Sequence, residues 1–414
     1  MRAEILAIGS ELLTPLRSDT NALHLTAKFL EAGVEVGARV TVADDAALLE
    51  SAFRTALGRA DVVVSTGGLG PTEDDLTREC AAAALGRRLV RDQGYVERLR
   101  ERFQRFGRVM SPVNEKQGDV IEGGRLVLNP RGTAPAQIVE ADGRLLVLLP
   151  GPPHEMGPLF DAHVLPLVRA RAGGRLLKTR LMRIAGLGES DVEQRVAPIY
   201  TTFTNPRTTI LGGAGEVELH LTAEGASEAE VEERLEALAA PIRAALPGRV
   251  FSEDGRELHE VVAALLVERG LTLALAESCT AGLIAARLSE VPGSSRFLER
   301  GWVAYSNRSK TEELGVDPAL IEAHGAVSEE VARAMAAGAR RASGADIGAA
   351  VTGIAGPDGG TPDKPVGLVW LAVSGATGEI VLRAQFPGER WRVREQALKA
   401  LLDLLRRRVL RLET

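Results

Sequence analysis

Short apolar segments that run straight into loops of glycine and hydroxyl residues recur along this chain. Residues 61–65 lead into a glycine-rich loop, whereas residues 271–276 and 347–351 lead into loops of serine, threonine and glycine. Brief apolar runs bounded in this way are typical of buried strands. In α/β proteins, ligands bind beside the loops that follow the carboxyl ends of the strands. The pattern therefore predicts an α/β fold with candidate sites at these strand ends.

The loop after residues 271–276 carries two candidate nucleophiles, Ser278 and Cys279. A helix that begins at this loop would leave free backbone N–H groups, which could stabilise the oxyanion formed when a nucleophile attacks a carbonyl. Serine is also a common helix N-cap, so a purely structural role for Ser278 is the alternative. A thiol at a helix start can be activated by a lowered pKa. The residues alone leave both nucleophiles open.

A possible base follows in the next predicted strand and turn. Tyr305 ends an apolar segment, and Lys310, one of only six lysines, lies one helical turn further on. Burial can lower the pKa of a lysine enough for it to accept a proton, which arginine cannot do. No histidine lies within these motifs, which disfavours a Ser-His-Asp triad. Ser278 and Lys310 are distant in sequence, so any pair they form is a tertiary contact.

Two further segments favour a ligand site. Residues 352–357 form a Gly-x-x-Gly-Pro loop after an apolar strand, where backbone could approach a ligand closely. Arg390 and Arg394 lie four positions apart at the start of the last predicted helix and could clamp a phosphate. An ordinary tight connection and solvated surface arginines are the structural alternatives.

Together, the motifs at 276–280, 305–310, 352–357 and 364–367 resemble the C-terminal domain of the CinA family, the nicotinamide mononucleotide deamidases. The resemblance implies cofactor-free hydrolysis of the nicotinamide amide, with release of ammonia. Ser278 would be the nucleophile, Lys310 its base and Tyr305 an aid to proton transfer. The family often has glycine at the position of Ala281. The implied substrate-binding residues are Thr280, Thr352, Gly353, Gly356 and Arg394.

The glycine loop after residues 61–65 suggests a phosphate cradle, but acidic residues follow it directly. Like charges repel, so a divalent cation that bridges Asp74 and Asp75 to a phosphate would resolve the conflict. Acidic residues are also favoured in the first turn of any helix, which is the structural alternative.

This loop, with residues 129–135 and 149–156, resembles the molybdopterin-binding domain in the version found at the N-terminus of CinA proteins. The resemblance implies metal-dependent cleavage of ADP-ribose to AMP and ribose 5-phosphate. Asp74 and Asp75 would bind the divalent ion (Mg²⁺, Mn²⁺ or Co²⁺), with K⁺ as a further ion. The implied substrate-binding residues are Asn21, Gly67, Gly68, Gly70 and Thr72.

The predicted organisation has three parts. Residues 1–170 form a molybdopterin-binding-like α/β domain, residues 171–252 a small α+β, KH-like spacer, and residues 253–414 an α/β deamidase domain. The predicted helix at 227–246 is acidic, which disfavours nucleic-acid binding because phosphates would be repelled.

Composition limits the protein class. Two isolated cysteines, Cys80 and Cys279, exclude a disulfide framework and fit a reducing cytoplasm. The net charge of −6, with no signal pattern and no long apolar run, predicts no nucleic-acid or membrane partner. We expect a cytoplasmic homodimer that salvages pyridine nucleotides. A non-catalytic nucleotide sensor or scaffold is the alternative.

Overall fold

The computed structural model describes residues 1–412, which divide into two compact units. The first unit comprises Met1–Lys178 and Glu224–Glu232, and the second comprises the rest of the chain. No helix within residues 1–412 is both long and apolar enough to cross a bilayer.

The first unit alternates strands and helices, as the apolar runs predict. Its strands are β1 (Arg2–Ile8), β2 (Glu35–Val42), β3 (Val62–Thr66), β4 (Leu89–Arg91), β5 (Asp119–Ile121), β6 (Arg125–Val127), β7 (Ala136–Ala141) and β8 (Arg144–Leu149). Its helices are α1 (Thr20–Glu31), α2 (Ala46–Arg59), α3 (Thr77–Ala84), α4 (Gln93–Arg105), α5 (Pro153–Leu159) and α6 (Leu165–Arg171). Short 3₁₀ segments span Ser10–Leu13 and Pro112–Gly118, and a π-helical segment spans Phe160–Val164.

The main sheet of this unit has the strand order β2-β1-β3-β8-β7-β6. Strands β1, β2, β3 and β8 are parallel, while β7 and β6 are antiparallel additions at one edge. Every residue of β3 is buried, as expected for a parallel strand covered on both faces. The carboxyl ends of β1, β3 and β8 therefore lie side by side and bring three loops to one edge of the sheet.

The chain continues with an α+β segment and a second α/β segment. The α+β segment contains β9 (Leu176–Ala185), α7 (Glu189–Tyr200), β10 (Arg207–Gly212), β11 (Glu216–Gly225), α8 (Glu228–Ala245) and β12 (Val250–Ser252). The second α/β segment contains α9 (Leu258–Glu268), β13 (Leu273–Glu277), α10 (Leu283–Ser289), β14 (Leu298–Val303), α11 (Asn307–Leu314), α12 (Pro318–His324), α13 (Glu329–Ser343), β15 (Ile347–Gly353), β16 (Leu368–Gly375), β17 (Gly378–Gln385) and α14 (Arg390–Leu410), with a 3₁₀ turn at Ser294–Arg296.

The sheet of the second α/β segment has the order β14-β13-β15-β16-β17. Strand β13 is parallel to both neighbours, β14 and β15, whereas β16 and β17 run antiparallel. Buried clusters of aliphatic side chains cover the two faces of this sheet. Because β13, β14 and β15 end at the same edge, the loops that carry the predicted site residues meet there.

Candidate active sites

Ser278 is the first residue after β13 and is 8% exposed. Its backbone N–H donates to the Val351 carbonyl of the neighbouring strand at 3.0 Å. The backbone at this position is therefore held by the sheet itself, although the residue belongs to a turn. This attachment fixes where the hydroxyl stands at the carboxyl edge.

Lys310 lies in the first turns of α11, is 1% exposed and donates to the Ser278 hydroxyl at 3.1 Å. Its Nζ also donates to the carbonyls of Ala304 and Tyr305, at 2.9 and 3.2 Å. No ion pair involves Lys310 within the described chain, and burial lowers its pKa. A neutral amine has two N–H bonds and one lone pair. In the neutral form, with its two N–H bonds directed to the two carbonyls, the lone pair would face the Ser278 hydroxyl, which is the geometry of a general base.

Cys279, the rival nucleophile, faces the core. It is 5% exposed and belongs to the apolar cluster that also contains Ile284 and Val351. Burial raises the pKa of its thiol to about 12, so almost no thiolate forms near neutral pH. The structure therefore favours Ser278 over Cys279.

The prediction that the start of the following helix offers free N–H groups to an anion is wrong. The side chain of Glu277, 1% exposed, accepts hydrogen bonds from the backbone N–H groups of Gly282, Ile284 and Ala285 at 3.0, 3.2 and 2.8 Å. The protein's own carboxylate thus occupies the donors that sequence reasoning assigned to a substrate. Within residues 1–412, the N–H groups of Cys279 and Thr280 donate to no backbone carbonyl, and they are the remaining candidates for an oxyanion hole.

Thr280 and Arg394 meet beside this turn. Nη2 of Arg394 donates to the Thr280 carbonyl at 2.7 Å. The Thr280 hydroxyl and Nε of Arg394 are both buried and lack partners within the described chain. Because an unsatisfied buried polar group costs about 1–3 kcal/mol, these two groups suggest that a polar ligand binds here.

Tyr305 contacts Lys310 through its backbone carbonyl and not through its side chain. Its carbonyl accepts from Lys310, whereas its side chain is 55% exposed and its hydroxyl accepts from Nη2 of Arg390 at 3.0 Å. Arg390 also donates to the Gly356 carbonyl at 2.9 Å. The role of the Tyr305 hydroxyl in proton transfer stays a prediction.

The side chains and backbone of the 352–356 loop make contacts within the protein itself. The buried Thr352 hydroxyl donates to the Ala326 carbonyl at 2.8 Å. A Cβ on Gly353 or Gly356 would lie 2.7 or 2.6 Å from the side chain of Val369 or Val366. Glycine is thus required at both positions by packing against the protein, and their predicted substrate contacts stay predictions.

The first unit has a cleft of about 630 Å³ at the carboxyl edge of its sheet. All the residues predicted for this half line the cleft: Asn21, Gly67, Gly68, Gly70, Thr72, Asp74 and Asp75. Acidic residues outnumber cations in the lining, where Arg17 is the one cation among the described residues.

Two cations that sequence reasoning missed hold the glycine loop from outside. The fully buried Arg78 donates to the carbonyls of Leu69 and Gly70 at 2.7 and 2.8 Å. Lys116 donates to the carbonyls of Thr72 and Asp75 at 2.5 and 3.0 Å. These two cations hold the loop by its carbonyls, whereas the N–H groups of Gly67, Gly70 and Thr72 already donate to Leu149 and Asp75.

The two predicted metal ligands, Asp74 and Asp75, differ in their hydrogen bonding and exposure. The carboxylate of Asp75 accepts from the N–H groups of Gly70 and Thr72 at 2.8 and 2.9 Å and from the Thr72 hydroxyl, so it organises the loop. Asp74 is exposed, and the Thr72 side chain lowers its pKa below the ordinary value. No group of three or more His, Cys, Asp or Glu side chains within residues 1–412 could hold a metal. Asp74 fits an ion held by one carboxylate and by substrate phosphates.

Two amide side chains in this cleft carry unpaired oxygens. Asn21 donates through Nδ2 to the Gly151 carbonyl, and its buried Oδ1 has no partner in the described chain. The buried Oε1 of Gln117, a residue that sequence reasoning missed, is likewise unpaired. Both residues line the cleft, where they could accept hydrogen bonds from ribose hydroxyls.

These features define an α/β protein with a buried serine–lysine pair in one α/β segment and a glycine-loop cleft in the other. Three family models match the chain: the probable molybdopterin binding domain over 4–170, the damage-inducible protein CinA KH domain over 179–252 and the CinA C-terminal domain over 255–409. The chain belongs to the CinA family. The predicted family and three-part fold class are confirmed, and the exact domain boundaries stay predictions.

Two full-length relatives support this assignment, and one solved structure matches part of the chain. A CinA-like protein of Solibacter usitatus is 44% identical over 409 residues, covering 99% of this chain and 98% of that protein. A CinA-like protein of Acidobacterium capsulatum is 47% identical over 414 residues, covering 99% and 100%. The crystal structure of competence/damage inducible protein CihA from Agrobacterium tumefaciens is 39% identical, covers 36% of this chain and 94% of its own, and has a TM-score of 0.35.

Proposed function

We propose that the C-terminal α/β segment hydrolyses the amide of nicotinamide mononucleotide to nicotinate mononucleotide and ammonia. The observation that carries the proposal is the 3.1 Å contact between Nζ of Lys310 and Oγ of Ser278. The lysine has its pKa lowered by burial, so it can be neutral at the start of the reaction.

The reaction proceeds in two halves. Lys310 takes the proton of Ser278 as Oγ attacks the carboxamide carbon, and the N–H groups of Cys279 and Thr280 stabilise the oxyanion. The lysine ammonium then gives its proton to the leaving nitrogen, ammonia departs, and a nicotinoyl ester remains on Ser278. Water attacks this ester with Lys310 again as base, which frees the carboxylate product and the serine hydroxyl.

The nucleotide phosphate would bind beside Thr280. The unpaired Nε of Arg394 and the unpaired Thr280 hydroxyl supply buried donors, and Arg390 lies one helical turn away with a charged guanidinium. Arginine suits this task because its planar fork matches phosphate oxygens.

Ammonia release from nicotinamide mononucleotide tests the proposal. Ser278→Ala should reduce kcat by at least about 10³-fold because the covalent route is lost. Ser289→Ala removes a hydroxyl that only caps the end of α10, and it should leave kcat unchanged. Full activity in the Ser278→Ala variant would refute the proposed nucleophile.

A second candidate function is metal-dependent cleavage of ADP-ribose to AMP and ribose 5-phosphate in the cleft of the first unit. The support is the glycine loop, whose carbonyls are held by Arg78 and Lys116, together with the exposed carboxylate of Asp74. A divalent ion bound there would neutralise phosphate charge and polarise the phosphorus being attacked. Asn21 and Gln117 would orient the ribose hydroxyls.

AMP formation measures this second activity. A chelator should abolish it, and Asp74→Asn should lower kcat without changing ammonia release. Binding of ADP-ribose with no AMP formed, at any metal concentration, would instead favour the alternative of a nucleotide sensor.

We also propose that small nucleotides, rather than nucleic acids, are the ligands. Helix α8 begins with acidic residues, including Glu228 and Glu230, which would repel a phosphate backbone. Homodimer formation stays a prediction that light scattering can test.

A further inference from the structure

We infer that Glu277 is a positioning residue for the Ser278 reaction: its buried carboxylate shapes the turn that presents the nucleophile and the oxyanion donors. This inference deepens the proposed amide hydrolysis and rests on it. Glu277 ends β13, so its backbone is fixed by the sheet on both sides. Its side chain reaches forward along the chain to the start of α10.

The carboxylate contacts three different backbone donors beyond the turn. One oxygen accepts from Gly282 and Ile284, and the other accepts from Ala285. Within residues 1–412, no salt bridge involves Glu277, and its carboxylate is stabilised by these three N–H groups. A buried carboxylate needs such donors, and the helix start in turn needs an acceptor.

The contacts close a loop around residues 278–281. Ala281 has φ of 53° and Gly282 has φ of 88°, so two successive residues adopt the left-handed region. This conformation is unfavourable for alanine and persists only when surrounding contacts hold it. The hydrogen bonds to the Glu277 carboxylate hold this conformation, and within residues 1–412 the N–H groups of Cys279 and Thr280 donate to no backbone carbonyl.

Two consequences follow for catalysis. The helix start is already neutralised by the protein's own anion, so it does not bind the substrate phosphate. The oxyanion donors are fixed before substrate arrives, so the loss of Glu277 should affect the transition state more than substrate binding.

The test uses the full-length chain with Glu277→Gln and Glu277→Asp. Glutamine keeps one acceptor oxygen but places an NH₂ group against a backbone N–H, whereas aspartate keeps the charge with a shorter reach. Glu260→Gln is the matched control, because Glu260 also caps a helix of this segment, accepting from the Glu257 N–H at 2.7 Å. We expect kcat in the order wild type, Asp, Gln, with the Gln variant down by about 10–100-fold and KM within about threefold. ADP-ribose turnover should not change.

A second readout does not depend on the substrate. The rate at which a fluorophosphonate probe labels Ser278 should fall in the same order, because the probe also needs the nucleophile and the oxyanion donors. If wild type is labelled but releases no ammonia from nicotinamide mononucleotide, the proposed substrate fails while the labelling rates still test Glu277. A Glu277→Gln variant that matches Glu260→Gln in both kcat and labelling rate would overturn the inference, as would a rise in KM at constant kcat.

Discussion

Replacing Lys310 by arginine tests whether Lys310 acts as a proton acceptor or only supplies a positive charge. Arginine keeps the cation but cannot lose its proton in a protein, so it cannot accept the proton of Ser278. General-base catalysis is worth about 10²–10⁴-fold, which corresponds to about 3–5 kcal/mol of transition-state stabilisation. We therefore expect Lys310→Arg to lose kcat by that factor, and Lys310→Met to lose a similar amount.

The general-base role of Lys310 also predicts how kcat/KM and protein stability change with pH. The base works only when neutral, so kcat/KM should rise with pH through the pKa of Lys310, which burial places below that of a free lysine. The lower pKa also means that the unfolded chain binds more protons than the folded one between the two values. The stability of the wild type relative to Lys310→Met should therefore increase as pH rises through this window towards about 10.4.

Ammonia release measured from pH 6 to pH 10, with thermal unfolding of the same samples, tests both expectations. Lys399→Met is a control, because Lys399 pairs with Glu216 and does not contact Ser278. A Lys310→Arg variant with wild-type kcat would refute the general-base role, since charge alone would then suffice.

Three further predictions follow from single contacts. Cys279→Ala should keep kcat within about threefold of the wild-type value. The native thiol should resist iodoacetamide at pH 8, because burial raises its pKa to about 12. A loss of kcat like that of Ser278→Ala would instead identify Cys279 as the nucleophile. Lys116→Met should lower ADP-ribose turnover by about tenfold through loss of the loop anchor, with ammonia release constant as the internal control. Ala281→Gly should stabilise the protein to urea by up to about 1 kcal/mol, because relief of the left-handed alanine exceeds the entropy cost of glycine; destabilisation would contradict this.

The sequence predicted the α/β fold well because strands such as Val62–Thr66 are buried on both faces and so are continuously apolar. Ser278 and Lys310 could be nominated by residue type and by family resemblance. Their contact could not be derived from a pattern, because it depends on β13 and α11 being placed together by the sheet.

Other features leave no local signal. The direction of one turn decides whether Ser278 or Cys279 faces the site. The two residues are adjacent, so the sequence of the segment is the same in both cases and does not distinguish them. Arg78 and Lys116 act through backbone carbonyls, which every residue possesses, so their partners are invisible in the sequence. Glu277 looked like a motif residue at a strand end, although its carboxylate fills the helix start.

The identity of the acylated residue tests the central claim most directly. The enzyme would be quenched with acid during turnover of nicotinamide mononucleotide, digested, and mapped by mass spectrometry. We expect a nicotinoyl ester on Ser278 in the wild type and none in Lys310→Arg. An adduct on Cys279, or ammonia released in a pre-steady-state burst with no acyl group on Ser278, would contradict the account.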